Sequence, residues 1–96
     1  MKYLTIDGMI SGTGVRDTLE GGYLDLNELG ISDELKIKIS IWLQEYEKLH
    51  FANYADKEKI VKLDEEGVAI CKRIFYELPS IKVEYFSNAK MSKLII

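Results

Sequence analysis

The most constraining stretch of the chain is Ser32-Asp33-Glu34 followed by Leu35, Ile39, Trp42, Tyr46 and Leu49. Apolar spacings of four, three, four and three trace a single stripe along an α-helix. Serine is a favoured N-cap, and two acids in the first turn meet the positive end of the helix dipole. A rival periodicity occupies part of the same span. Leu35, Ile37, Ile39, Ile41 and Leu43 alternate with polar residues for most of it, as in a half-buried strand. Only the longer period takes in the cap and Trp42 through Leu49, so the expectation over residues 33–43 is helix, with strand as the alternative. Ile37 and Ile41 then lie on the opposite face and need a second surface, which makes them candidates for a homo-oligomer contact.

The rest of the chain is read around that helix. Lys2-Tyr3-Leu4-Thr5-Ile6 is β-prone with Leu4 and Ile6 on one side, and a glycine-rich stretch follows that reads as loop and turn. Tyr23-Leu24-Asp25-Leu26 reads as a second short strand with Leu24 and Leu26 inward. Residues 50–56 form a connector. A second helix is expected from Asp56 or Lys57 to Leu78, with a stripe of Ile60, Leu63, Gly67, Ile70, Cys71, Ile74 and Leu78. A mid-helix glycine costs about 1 kcal/mol relative to alanine, so Gly67 points to close approach of a neighbour. In an alternative, Asp64 caps a shorter helix. Pro79 ends the helix, Ile81–Phe86 is the clearest strand, and Leu94-Ile95-Ile96 adds a short edge strand or frays. The sum is an α+β fold, a single domain over residues 1–96, built as a small two-layer α/β sandwich with two helices packed on a short sheet.

Nearly half the residues are apolar and three in ten are charged, which is globular composition. No apolar run approaches the roughly 20 residues needed to cross a bilayer. Asp7 and Arg16-Asp17 interrupt any signal-peptide core after Met1-Lys2, so the expected location is cytoplasmic and no membrane partner is expected. The net charge of −3 is local. Lys2 and Arg16 stand against Asp7, Asp17, Glu20, Asp25 and Glu28 in residues 1–32, while the remainder is neutral. That sign disfavours nucleic acid and permits a basic protein partner.

Catalytic residues are hard to assemble. His50 is the only histidine and has no evident nucleophile or metal-ligand partner; at a helix C-terminus it serves the dipole. Cys71, the single cysteine, sits in an apolar run and reads as a buried small hydrophobe, so no disulfide is expected. Gly12-Thr13-Gly14 with Arg16 lacks the pattern of a phosphate loop. Asp64-Glu65-Glu66 reads as a solvated helix turn or an N-terminal charge cluster, and Trp42 and Tyr46 as core, with an interface anchor as the alternative. No metal, cofactor or enzymatic activity is expected. The candidate partner-binding set is Asp17, Glu20, Tyr23, Asp25 and Glu28, a negative loop region able to steer a basic partner.

Gly30-Ile31-Ser32-x-x-Leu35, Trp42-x-x-x-Tyr46, Leu63-Asp64-x-x-Gly67, Leu78-Pro79 and Val83-x-Tyr85-Phe86 together resemble small bacterial immunity proteins. Those proteins are encoded beside polymorphic toxins, contact-dependent growth-inhibition systems among them. The resemblance covers residues 30–86 and consists of scaffold motifs, so it transfers no functional residue. It implies a cytoplasmic protein that binds a cognate toxin domain, in many cases a nuclease with a basic cleft, and neutralises it stoichiometrically.

Overall fold

A computed structural model describes residues 3–94. Strands β1 (Tyr3–Asp7) and β2 (Val15–Asp17) precede helices α1 (Asp33–Phe51) and α2 (Lys57–Glu77), and β3 (Lys82–Ser87) and β4 (Ser92–Leu94) follow. The sheet order is β2-β1-β3-β4. β1 and β3 run parallel, with Leu4 opposite Val83 and Ile6 opposite Tyr85, and both outer pairs are antiparallel. No helix is long and apolar enough to cross a membrane among the described residues.

Residues 33–43 are helical. Ser32 accepts a hydrogen bond from the Leu35 amide, and the buried residues of α1 are Leu35, Ile39, Trp42, Tyr46 and Leu49. Asp56 caps α2 by accepting from the Lys59 amide, so Asp64 lies inside this helix and caps nothing. Two readings of the strands need correction. Tyr23–Leu26 is not a strand: Tyr23 makes one isolated bridge to Arg16, and Leu26–Glu28 is a short 3-10 helix capped by Asp25. The missing strand is Val15–Asp17, inside the stretch read as loop, where pairing to Leu4, Thr5 and Ile6 fixes it. At the far end the edge strand is Ser92–Leu94, while Ile95 and Ile96, like Met1 and Lys2, lie outside the described residues.

The core lies between the sheet and the helices. Leu4, Ile6, Val15 and Tyr85 from the sheet meet the stripe of α1 and Leu63, Ile70, Cys71 and Ile74 of α2. Trp42 packs edge-on to Tyr85, and its indole N–H donates to the Leu63 carbonyl at 2.8 Å. Gly67 is where α2 presses on the sheet, because a Cβ there would overlap the Tyr85 ring.

One charged group sits inside this core. Asp64 is 3% exposed, which corrects its reading as part of a solvated turn, whereas its neighbour Glu65 is exposed. Its carboxylate accepts from Tyr46 at 2.9 Å, Tyr85 at 2.6 Å and Ser87 at 2.7 Å. The Ala89 amide donates to the Tyr46 hydroxyl and the Lys90 amide to Ser87. A single carboxylate therefore ties α1, α2, β3 and the turn after β3 together, with every partner satisfied.

The buried phenols make the fold sensitive to base. Burial, and then the hydrogen bond to Asp64, pushes Tyr85 far above the ordinary phenol value. Burial also raises Tyr46, and burial with the Asp7 hydrogen bond raises Tyr23. A raised folded-state pKa gives a stability contribution that is complete below the unfolded pKa of about 10 and is lost as pH climbs beyond it. Ultraviolet phenolate absorbance should therefore show the buried Tyr46 and Tyr85 ionising only together with loss of circular dichroism. Smooth titration of all six tyrosines in a folded chain would contradict this.

Candidate functional site

The glycine-rich loop is ordered by its own polar groups. Asp17 Oδ1 accepts from the Leu19 and Glu20 amides, each at 3.0 Å, closing the turn that Gly21 and Gly22 continue. Thr13 donates to the Leu24 carbonyl at 2.6 Å, and the Leu24 amide donates to the Val15 carbonyl at 2.9 Å. Asp7 is buried on the outer face of the sheet, where it accepts from the Tyr23 hydroxyl at 2.7 Å and pairs with Arg16 at 3.2 Å.

These bonds sort the five candidate partner-binding residues. Asp17 is buried and its carboxylate serves the turn. Tyr23 is half-buried with its hydroxyl on Asp7. Asp25 is exposed but also caps the 3-10 helix, accepting from the Asn27 amide at 2.9 Å. Glu20 and Glu28 are exposed. Among the described residues no cation stands within ion-pair distance of Glu20, Asp25 or Glu28.

The loop and α1 enclose a groove of about 800 Å³. Ile37 and Ile41, one turn apart on α1, line it together with Leu43 and with Leu26 from the loop. Tyr23, Asp25 and Asn27 form one wall, and Lys36 stands on the helix side, tied to Asp33 at 3.3 Å. Ile37 is 61% and Ile41 57% exposed, so nothing among the described residues covers this face of α1. Two features that are separate in the sequence, the second apolar face of α1 and the acidic loop, thus meet in one place.

Other reactive groups are engaged elsewhere. Burial pushes the Cys71 thiol well up, away from the thiolate form that nucleophilic chemistry needs. His50 is exposed in the last turn of α1 with Nδ1 3.2 Å from the Tyr54 hydroxyl. The groups a phosphate would use in the Gly12-Thr13-Gly14 stretch are taken, Thr13 by Leu24 and Arg16 by Asp7. Among the described residues no three His, Cys, Asp or Glu side chains converge as a metal site. The outer sheet face is likewise self-satisfied: Tyr3 donates to Glu84, Thr5 bonds Thr18 at 2.6 Å, and Lys93 pairs with Glu84 at 3.2 Å. The groove combines exposed apolar area with the Asp25 carboxylate on its wall, and it can do what such surfaces do, which is dock a macromolecule. No family model, curated protein or solved structure matches the chain.

Proposed function

We propose that the protein is a cytoplasmic immunity protein that binds a cognate toxin domain and neutralises it by stoichiometric contact, without catalysis. The observation that carries the reading is the groove, where uncovered Ile37 and Ile41 lie beside the acidic loop. An apolar centre with a charged rim is the anatomy of a protein–protein interface. The resemblance over residues 30–86 supplies the partner class, and the negative first third suits a basic surface such as a nuclease cleft. Co-expression with the product of the adjacent gene tests it. The expected result is a one-to-one complex and rescue of growth; a neighbour without a toxin-like domain, and no protected cell, would end the proposal.

Within this reading, Glu20→Lys with Glu28→Lys should slow association several-fold and flatten its salt dependence, because rim charges act mainly on the encounter rate. Asp17 is left out of that test because reversing it would break the turn. An unchanged association rate, measured by stopped flow, would move the contact away from the loop. The exposure of Ile37 and Ile41 also favours a second reading, a homo-oligomeric regulatory or structural protein joined through that face. Light scattering separates the two: the second reading requires a mass that rises with concentration.

A further inference from the structure

We infer that the occupant of the groove is an α-helix of the partner, bearing an apolar ridge flanked by lysine or arginine; this rests on the binding-protein reading above. The shape is the first argument. The groove follows α1 from Lys36 to Gln44, a rise of about 12 Å at ~1.5 Å per residue. Ile37 and Ile41 are an i, i+4 pair, and such rows interdigitate with the side-chain ridges of a second helix.

The second argument removes the main competitor. A peptide that docks as a strand needs a row of unpaired backbone groups. On the loop side of the groove that edge is already occupied, since Leu24 donates to the Val15 carbonyl and Asp17 donates to the Gly22 carbonyl at 3.0 Å. The Leu24 carbonyl is held by Thr13, and the next residues are wound into the 3-10 helix. Affinity must come from side-chain packing.

Charge is the third. Asp25 on the wall, with Glu28 and Glu20 further along the loop, is exposed and without an ion-pair partner among the described residues, while Lys36 is held by Asp33. An incoming cationic helix meets the Asp25 carboxylate on the wall, and the cation that lines the groove, Lys36, is already paired.

Three synthetic helical peptides test this on the full chain, all with the same leucine row at i, i+4 spacing and with lysine, glutamine or glutamate at the flanking positions. Binding is read by fluorescence anisotropy at about 0.15 M salt and by isoleucine methyl shifts. The lysine peptide should bind and move the Ile37 and Ile41 signals, with the glutamine peptide about tenfold weaker and the glutamate peptide silent. The Ile37→Ser, Ile41→Ser double variant, whose changes lie on exposed positions, should keep its circular dichroism and lose at least about tenfold in affinity. Equal binding of lysine and glutamate peptides, shifts confined to another surface, undiminished binding by the double variant, or self-association that fills the groove with a second copy would each overturn the inference. The function can fail separately. A double variant that keeps full toxin affinity removes the helix-in-groove and leaves immunity standing, whereas a wild-type chain that binds the lysine peptide but protects no cell does the reverse.

Discussion

Replacing Asp64 by alanine should lower stability by about 3–5 kcal/mol, since charge-assisted hydrogen bonds are worth ~1.5–3 kcal/mol each and orphaned buried hydroxyls cost ~1–3 kcal/mol. Three hydroxyl donors lose their acceptor at once: Tyr46, Tyr85 and Ser87. A domain of this size holds about 5–15 kcal/mol in all, so a large share of the margin is at stake. Thermal denaturation reads it as a fall of roughly 12–40 °C, at about 4–8 °C per kcal/mol. Asp64→Asn retains the volume and one acceptor oxygen, so its loss should be smaller. Glu65→Ala, one residue away and exposed, should stay within about 0.5 kcal/mol. Equal effects at positions 64 and 65 would show that the buried network contributes nothing specific.

The second large effect is one in which helix propensity predicts the wrong sign. Gly67→Ala would gain about 1 kcal/mol in an exposed helix interior. Here the added methyl would collide with the ring of Tyr85, whose hydroxyl oxygen lies 2.8 Å from the Cβ position. Tyr85 is fully buried and fixed by Asp64, so it cannot swing aside without surrendering that bond. Overpacking of this kind costs ~1–3 kcal/mol, and losing the hydrogen bond adds ~1.5–3 kcal/mol. The expected net loss is about 2–4 kcal/mol after the propensity gain. A double-mutant cycle isolates the cause: in a Tyr85→Ala background, Gly67→Ala should be neutral or stabilising. An unchanged penalty in that background would place the strain somewhere other than the Tyr85 ring.

Both effects bear on how far the sequence could be read. The two helices, β1 and β3 follow from local signals, because cap and period agree along each helix and β-prone residues run through each strand. β2 was illegible for the opposite reason. Val15-Arg16-Asp17 is three residues long and lies in a glycine-rich stretch, and only its pairing with β1 makes it a strand. Tyr23–Leu26 alternates like a strand, but Asp25 turns the chain into a 3-10 helix by capping it. Asp64 was masked by its acidic neighbours, and its partners are 18, 21 and 23 positions away. One signal was available: Ile60, Asp64, Gly67, Cys71 and Ile74 repeat the four-three-four-three spacing of α1, which sets an acid on a buried stripe. The candidate site was half legible. Ile37 and Ile41 were recognisable as an uncovered face and Asp25 as part of an acidic loop. Their meeting in one groove depends on how the loop folds back over α1, and no local pattern encodes that.

The parallel pairing of β1 with β3 has a consequence for the order of assembly. Tyr3 and Glu84, which bond across these two central strands, are 81 positions apart. On the ribosome, β1 is therefore synthesised long before its main partner exists, and until then it has only the three residues of β2 beside it. Leu4 and Ile6 meanwhile present their apolar side chains next to an unpaired backbone edge, the kind of surface on which nascent chains associate wrongly. Closing so long a loop is slow, and the helices alone cannot complete the sheet. The nascent chain therefore stays vulnerable from the emergence of β1 onward, and cooperative folding waits for the arrival of β3.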